Sequence, residues 1–148
     1  DQPVRRYSYL RALQTIPNLS IHYGHFLTHE VEAPLAPPAT GVVRVLKTEE
    51  KGSDVNLATF LLADGFRGEY ETAVIISNDS DLLAPLKVAR HELGKAVGVL
   101  SPHQHHPSVV LRQNASFFKV IRPSSLARAQ FPPMLTDARG VFYKPASW

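Results

Sequence analysis

Apolar residues recur at helical spacing over 3–16. Val4, Tyr7, Leu10, Leu13 and Ile16 form a stripe that leaves Arg5, Arg6 and Arg11 outside it. Pro17-Asn18 ends that helix. From Leu19 to Leu27 the pattern changes to alternation, Leu19, Ile21 and Tyr23 against Ser20, His22 and Gly24, which predicts an extended segment. Pro34, Pro37 and Pro38 then mark residues 31–41 as a connection, since proline denies both a continuous helix and a central strand. Val42 to Thr48 is extended again, and the two extended runs are expected to pair across that connection.

The middle of the chain carries the strongest pattern. A helix is expected from about Asp54 to Phe66, with Ser53 as its N-cap and Asp54 at the positive end of its dipole. Val55, Ala58, Leu62 and Phe66 would be its buried stripe. The apolar run Ala73-Val74-Ile75-Ile76 reads as a strand buried on both faces. A second helix follows over 81–93, closed by Gly94, and then a second buried strand from Ala96 to Leu100. Helix, strand, helix, strand implies a parallel sheet. Beyond the polar loop SPHQHHPS, the pattern predicts a short helix near 108–114 and a strand near 117–121. Another short helix has Pro123 in its first turn, and a turn is expected at Asp137-Ala-Arg-Gly140.

Composition narrows the function classes. With 148 residues, 44% of them hydrophobic, the chain suits one domain able to build a core. It has no cysteine, which excludes disulfides, Cys-ligated zinc and thiol catalysis. No apolar run approaches the roughly 20 residues needed to span a bilayer, and the start has no apolar signal core. A soluble cytoplasmic protein is therefore expected. The net charge of +3 hides an asymmetry: residues 1–81 hold 7 basic and 11 acidic side chains, residues 82–148 hold 9 basic and 2 acidic. Such a chain suits a polyanion brought near carboxylates, or an unevenly charged solvated surface.

The chemistry concentrates at SNDSD. In a parallel sheet, strand C-termini and the following helix N-termini share one edge. Asp79 and Asp81 leave a strand at that edge, and Asp54 opens a helix there. Converging carboxylates resist ionisation unless a cation neutralises them, and hard divalent ions take carboxylate oxygens with water and phosphate. The alternative is a pair of solvated turn residues. Lys51, beside Asp54, is a candidate phosphate contact. His103, His105 and His106 lack a fourth ligand for a closed zinc site, so His103 is placed on the same edge as a nucleic-acid contact. Neither G-x-x-x-x-G-K-[ST] nor G-x-G-x-x-G occurs, and Ser77 lacks the glycines of a nucleophile elbow.

The segment K-T-E-E-K-G-S-D-V-N-L-A at 47–58, followed by A-V-I-I-S-N-D-S-D-L at 73–82, resembles the NYN domains of the PIN-like nuclease superfamily, most of all the LabA-like bacterial branch. The likeness runs from Tyr9 to the final KPASW, with its specific motifs in the middle third. It implies a three-layer α/β/α sandwich with a mainly parallel sheet, clustered aspartates binding Mg²⁺ or Mn²⁺, and hydrolysis of RNA phosphodiesters. By motif, Asp54 matches the K-G-x-D acid, Asp79 and Asp81 match the acids of S-x-D-x-D, and Ser77 and Asn78 match the supporting strand-end positions. Many relatives carry another acid where this chain has Phe60.

Such domains usually open with a strand ending in I-D-G-x-N, whose Asp is a principal metal ligand. Nothing in this chain matches it, and Asp1 is followed by Gln-Pro. The resemblance thus implies either a fragment missing that strand or a natural loss of catalysis. The expectation is a single NYN/PIN-like domain over 1–148, N-terminally incomplete, acting as a metal-dependent endoribonuclease when intact. The alternative is a non-catalytic RNA-binding or regulatory module. Arg90, Arg112, Lys119 and Arg122 are the expected RNA contacts, and an unpaired strand edge would favour a homo-oligomer.

Overall fold

The computed structural model describes the backbone of residues 2–146 and the side chains of residues 5–146. Asp1, Ser147, Trp148 and the Val4 side chain, all invoked above, lie outside the described residues. Contacts divide the chain into two compact units: residues 22–120, and those up to 21 together with those from 121 onward. No helix among the described residues is long and apolar enough to cross a membrane.

Within residues 22–120, β3 (Thr72–Ile76), β4 (Ala96–Ser101) and β5 (Phe117–Val120) form a parallel sheet in that order. Ile75 lies opposite Val99, and Val99 opposite Phe118. The helix α2 (Ser53–Arg67) leads into β3. A 3-10 turn (Ser80–Leu82) running into α3 (Leu83–His91) joins β3 to β4, and α4 (Val109–Asn114) joins β4 to β5. The mixed α/β class with a parallel sheet is therefore as the pattern implies. The chain also forms two separate antiparallel pairs, β1 (His25–Pro34) with β2 (Val42–Lys51), and β6 (Met134–Asp137) with β7 (Gly140–Tyr143).

The core lies on one face of the parallel sheet. Ile75, Val97 and Val99 meet Leu82, Leu86, Ala89 and Leu111, with Leu61 and Leu62 of α2 packed against them. Removing such side chains from water is the main stabilising term, about 1.5–3 kcal/mol for each large one. The other face differs from the both-faces-buried expectation: Val74 is 50% exposed and Ile76 61%. The reason is topological, because β3 is an edge strand among the described residues.

Gly98 is buried because the Phe117 ring from the neighbouring strand occupies the place of its missing side chain. Gly98→Val would drive two groups into that space. We expect a loss of about 1–3 kcal/mol of stability from overpacking, read as a lowered midpoint in urea unfolding; an unchanged midpoint would mean the ring swings aside freely.

Three local expectations change. Val55 and Phe66 are 68% and 71% exposed; of the expected stripe Leu62 packs against the core, and α2 turns Leu61 and Gly65 inward with it. A Cβ at Gly65 would crowd the Tyr70 hydroxyl and Leu93, so the glycine sets how closely these approach the helix. Ser53 is not the cap: Gly52, at φ 97°, holds that position, and the Ser53 hydroxyl donates to Glu50 Oε1 at 2.7 Å. The first strand also begins later than the alternation suggests and runs on through Pro34. A two-stranded ribbon has only edge strands, so a terminal proline is tolerated there.

Both strands of that ribbon are largely exposed, and polar pairs line it. Thr28 and Thr48 share a 2.8 Å hydroxyl contact, and Arg44 faces Glu30 and Glu32. Glu49 lies 2.6 Å from Lys47 and 3.0 Å from Lys51. Hydrogen bonds from Lys47 and then Lys51 lower its pKa from 4.5 to about 2. A depressed carboxylate stabilises the fold above its unfolded pKa and loses that contribution as pH falls through the folded value. The Glu49 contribution is thus expected to be complete above about pH 4.5 and gone near pH 2. Acid unfolding of Glu49→Gln against the native chain checks this; curves that stay apart by the same amount down to pH 2 would contradict it.

In the other unit, α1 (Gln2–Leu13) is clamped to the β6–β7 hairpin. Arg11 makes a bidentate pair with Asp137, both bonds at 2.7 Å, and donates to the Gly140 carbonyl at 3.0 Å. Its guanidinium lies 4.2 Å from the Phe142 ring centre. Hydrogen bonding from Arg11 holds the Asp137 carboxyl far below the usual range. The turn at Asp137–Gly140 is as the pattern implied, and its two short strands are the addition.

Candidate functional site

The SNDSD segment leaves β3 as a chain of local caps. Ser77 Oγ accepts from the Asp79 amide at 3.0 Å, and Asp79 Oδ1 accepts from the Asp81 amide at 3.0 Å, which starts the 3-10 turn. Asn78 points differently. Its Oδ1 accepts from the buried Ser101 hydroxyl (3.0 Å) and the Ser108 amide (2.7 Å), and its Nδ2 donates to the His106 carbonyl (3.0 Å). Ser101 Oγ also accepts from the His103 amide at 3.2 Å. One side chain therefore ties the end of β3 to the loop after β4. Ser108 completes the arrangement by capping α4 through the Leu111 amide.

At this edge an open depression of about 460 Å³ is lined by Ile76, Ser77, Asn78, Asp79, Pro102 and His103. Ser77, Asn78, Asp79 and His103 were expected at one edge, and they line one surface. A trough of about 450 Å³ shares Ile76 with it and runs between α2 and β3. Ser53, Asn56, Leu57 and Phe60 form its helical wall, and Ala73 to Ile76 its strand wall. His22 stacks on Phe60 at 3.6 Å between ring centres.

The short connection after α2 makes that helix antiparallel to β3, so Asp54 lies towards the same edge as Asp79. The three carboxylates nonetheless do not converge. Among the described residues, no three His, Asp or Glu side chains are grouped to hold a metal ion. The trough is the physical reason, since it stands between the helix and the strand. Asp54 is exposed in the first turn of α2 and lines neither opening, and Asp81 is exposed beside Asp79. The described residues alone thus do not make a full divalent-ion site.

The expected cations fare unevenly. Lys51 pairs with Glu49 at 3.0 Å. Arg90 is half-buried, and its guanidinium donates to the Asn114 carbonyl at the end of α4. Arg112 and Lys119 are exposed in the unit of residues 22–120, and Arg122 is exposed in the other. Sequence reasoning missed Ser101 and Ser108. The parallel register signals the first, because Ile76 aligns with Leu100 and so Ser101 falls level with Ser77. It also missed the trough wall of Asn56 and Phe60, which one helix's periodicity cannot separate from core.

A family profile for the NYN domain matches residues 5–122. Among curated proteins, 6-hydroxy-3-succinoylpyridine 3-monooxygenase HspA of Pseudomonas putida (strain DSM 28022 / S16) is 31% identical over 117 residues. That alignment covers 76% of this chain and 37% of HspA, so the chain spans little more than a third of the relative's length. No solved structure matches the chain.

Proposed function

Because the chain belongs to the NYN domain family, we propose that it is a cytoplasmic, metal-dependent endoribonuclease that cuts RNA at the edge where β3 and β4 end. The observation that carries this reading is the depression lined by Ser77, Asn78, Asp79 and His103, with Asp81 beside it. Mg²⁺ or Mn²⁺, when bound, supplies charge stabilisation at phosphorus and a water of lowered pKa. The residues' own part is placement. Ser77 holds the Asp79 backbone amide, the Asp81 amide donates to the Asp79 carboxylate, and Asn78 holds the His103 loop over the same surface. Exposed Arg112, Lys119 and Arg122 are the proposed backbone contacts. The test is the rate of metal-dependent RNA cleavage by Asp79→Asn against the native protein.

The reading also takes residues 1–148 as one NYN domain of the LabA-like branch, whose sheet gains a further parallel strand in the trough. The edge position of β3 and the exposure of Val74 and Ile76 support that strand. A carboxylate delivered there would lie between Asp54 and Asp79. The dispersal of the present carboxylates favours a second reading, a non-catalytic RNA-binding or regulatory module. The monooxygenase activity in the name of HspA belongs to a protein of which this chain spans little more than a third, and it is not carried over.

A further inference from the structure

β4 carries no polar side chain from Ala96 to Leu100 and then ends on Ser101, the one buried polar side chain among the described residues. Burying a hydroxyl is costly unless its hydrogen bonds are made. In the ladder Ser101 already lies level with Val120 of β5, so its side chain is not needed to hold the strand. The hydroxyl serves the following loop instead. Its oxygen lies 3.2 Å from both the amide and the carbonyl of His103, and 3.0 Å from Asn78 Oδ1. A hydroxyl has one proton and two lone pairs, so it accepts from the His103 amide and donates to one of the two oxygens. His103 is thereby gripped through its backbone by a group that solvent does not reach. The far end of the loop is tied to the same anchor, because Asn78 accepts from the Ser108 amide at 2.7 Å and donates to the His106 carbonyl at 3.0 Å. Residues 102–106 are exposed, and exposed loops are ordinarily mobile. Here both ends are fastened to the residue directly before Asp79, and Pro102 and His103 line the depression with that aspartate.

We propose that Ser101 is a positioning residue: its hydroxyl, with Asn78, holds His103 in the depression so that an imidazole N–H meets a phosphate oxygen of bound RNA. The proposal rests on the ribonuclease reading of this edge. Imidazole always offers at least one N–H donor, and a donor held in place loses less freedom when a ligand binds. Ser101 touches no substrate, since it is fully buried. It acts only through the residue it grips. Losing the grip should therefore weaken substrate binding and leave the chemical step alone.

The first readout is amide hydrogen exchange in EDTA without RNA. In the native protein the His103 amide should exchange about tenfold more slowly than the His105 amide, the scale of one hydrogen bond. Ser101→Ala should remove that difference and leave the protection of β4 unchanged. The second readout is steady-state cleavage of a labelled single-stranded RNA. Ser101→Ala and His103→Ala should each raise KM about tenfold with kcat unchanged, the pattern of a lost binding contact. The double variant should also show a rise of about tenfold, whereas independent contacts would multiply to about a hundredfold. Ser101→Cys fills the space with a weakly hydrogen-bonding group. It should follow Ser101→Ala, and it keeps the test valid if the smaller side chain fails to fold. Unchanged exchange at His103 in these variants would overturn the anchor. A fall in kcat at unchanged KM would mean only fewer folded molecules, and multiplied losses in the double variant would mean that Ser101 acts elsewhere; either overturns the positioning role. No cleavage by the native protein with any divalent ion would overturn the ribonuclease reading and the part of His103 in it, and the exchange result then still decides the anchor.

Discussion

Asp79→Asn is expected to lower RNA cleavage by the native protein about a hundredfold or more without lowering its melting temperature. An amide keeps the side chain's shape and an oxygen that can still accept from the Asp81 amide, the bond that starts the 3-10 turn. It removes the negative charge that holds a cation. A catalytic metal ion contributes several kcal/mol of transition-state stabilisation, and each 1.4 kcal/mol or so is tenfold in rate. EDTA should abolish cleavage and Mn²⁺ or Mg²⁺ restore it. Asp54→Asn, across the trough, should cost less than Asp79→Asn. The measurement is initial rate on a labelled single-stranded RNA at fixed metal concentration. Full activity in EDTA, or in Asp79→Asn, would rule out the metal-carboxylate mechanism. No cleavage by the native protein with any divalent ion would favour the non-catalytic module.

The second large effect is association. The protein is expected to elute as concentration-dependent dimers and larger species. β3 presents an edge with Val74 and Ile76 half or more exposed, beside the apolar trough. Such an edge is a template for another strand. Ile76→Lys should reduce association, because a charge on an exposed edge strand opposes stacking. Size-exclusion chromatography with light scattering over a wide concentration range decides the matter. A monomer at every concentration would show that the β3 edge is already protected.

The contrast between legible and illegible elements has a physical basis. Ala96 to Leu100 is apolar throughout, and the strand there is buried at Val97, Gly98 and Val99. Ser108 and Pro123 each carry their own stereochemical instruction, and both begin helices as expected. Val55 and Phe66 show where periodicity fails. A helical stripe states which residues share a face, and α2 has two apolar faces, of which only the one bearing Leu61 and Leu62 meets the core. The ribbon start at His25 was hidden because an exposed two-stranded pair imposes no inside and outside. The position of Ser77, Asn78 and Asp79 at the end of β3 was legible because they follow a strand directly. Their supports Ser101 and Ser108 come from other elements, and only the register joins them.

The bond between Arg11 and Asp137 spans 126 residues of chain, and this orders events during synthesis. At a ribosome rate of roughly 5–20 residues per second, α1 is made about 6–25 seconds before its clamp exists, a delay set by those 126 residues. Residues 22–120, with the parallel sheet, are complete within that interval. Translation therefore makes the residues of the sheet first and those of the clamp last, and until Asp137 has been made the first helix has no partner for Arg11 there.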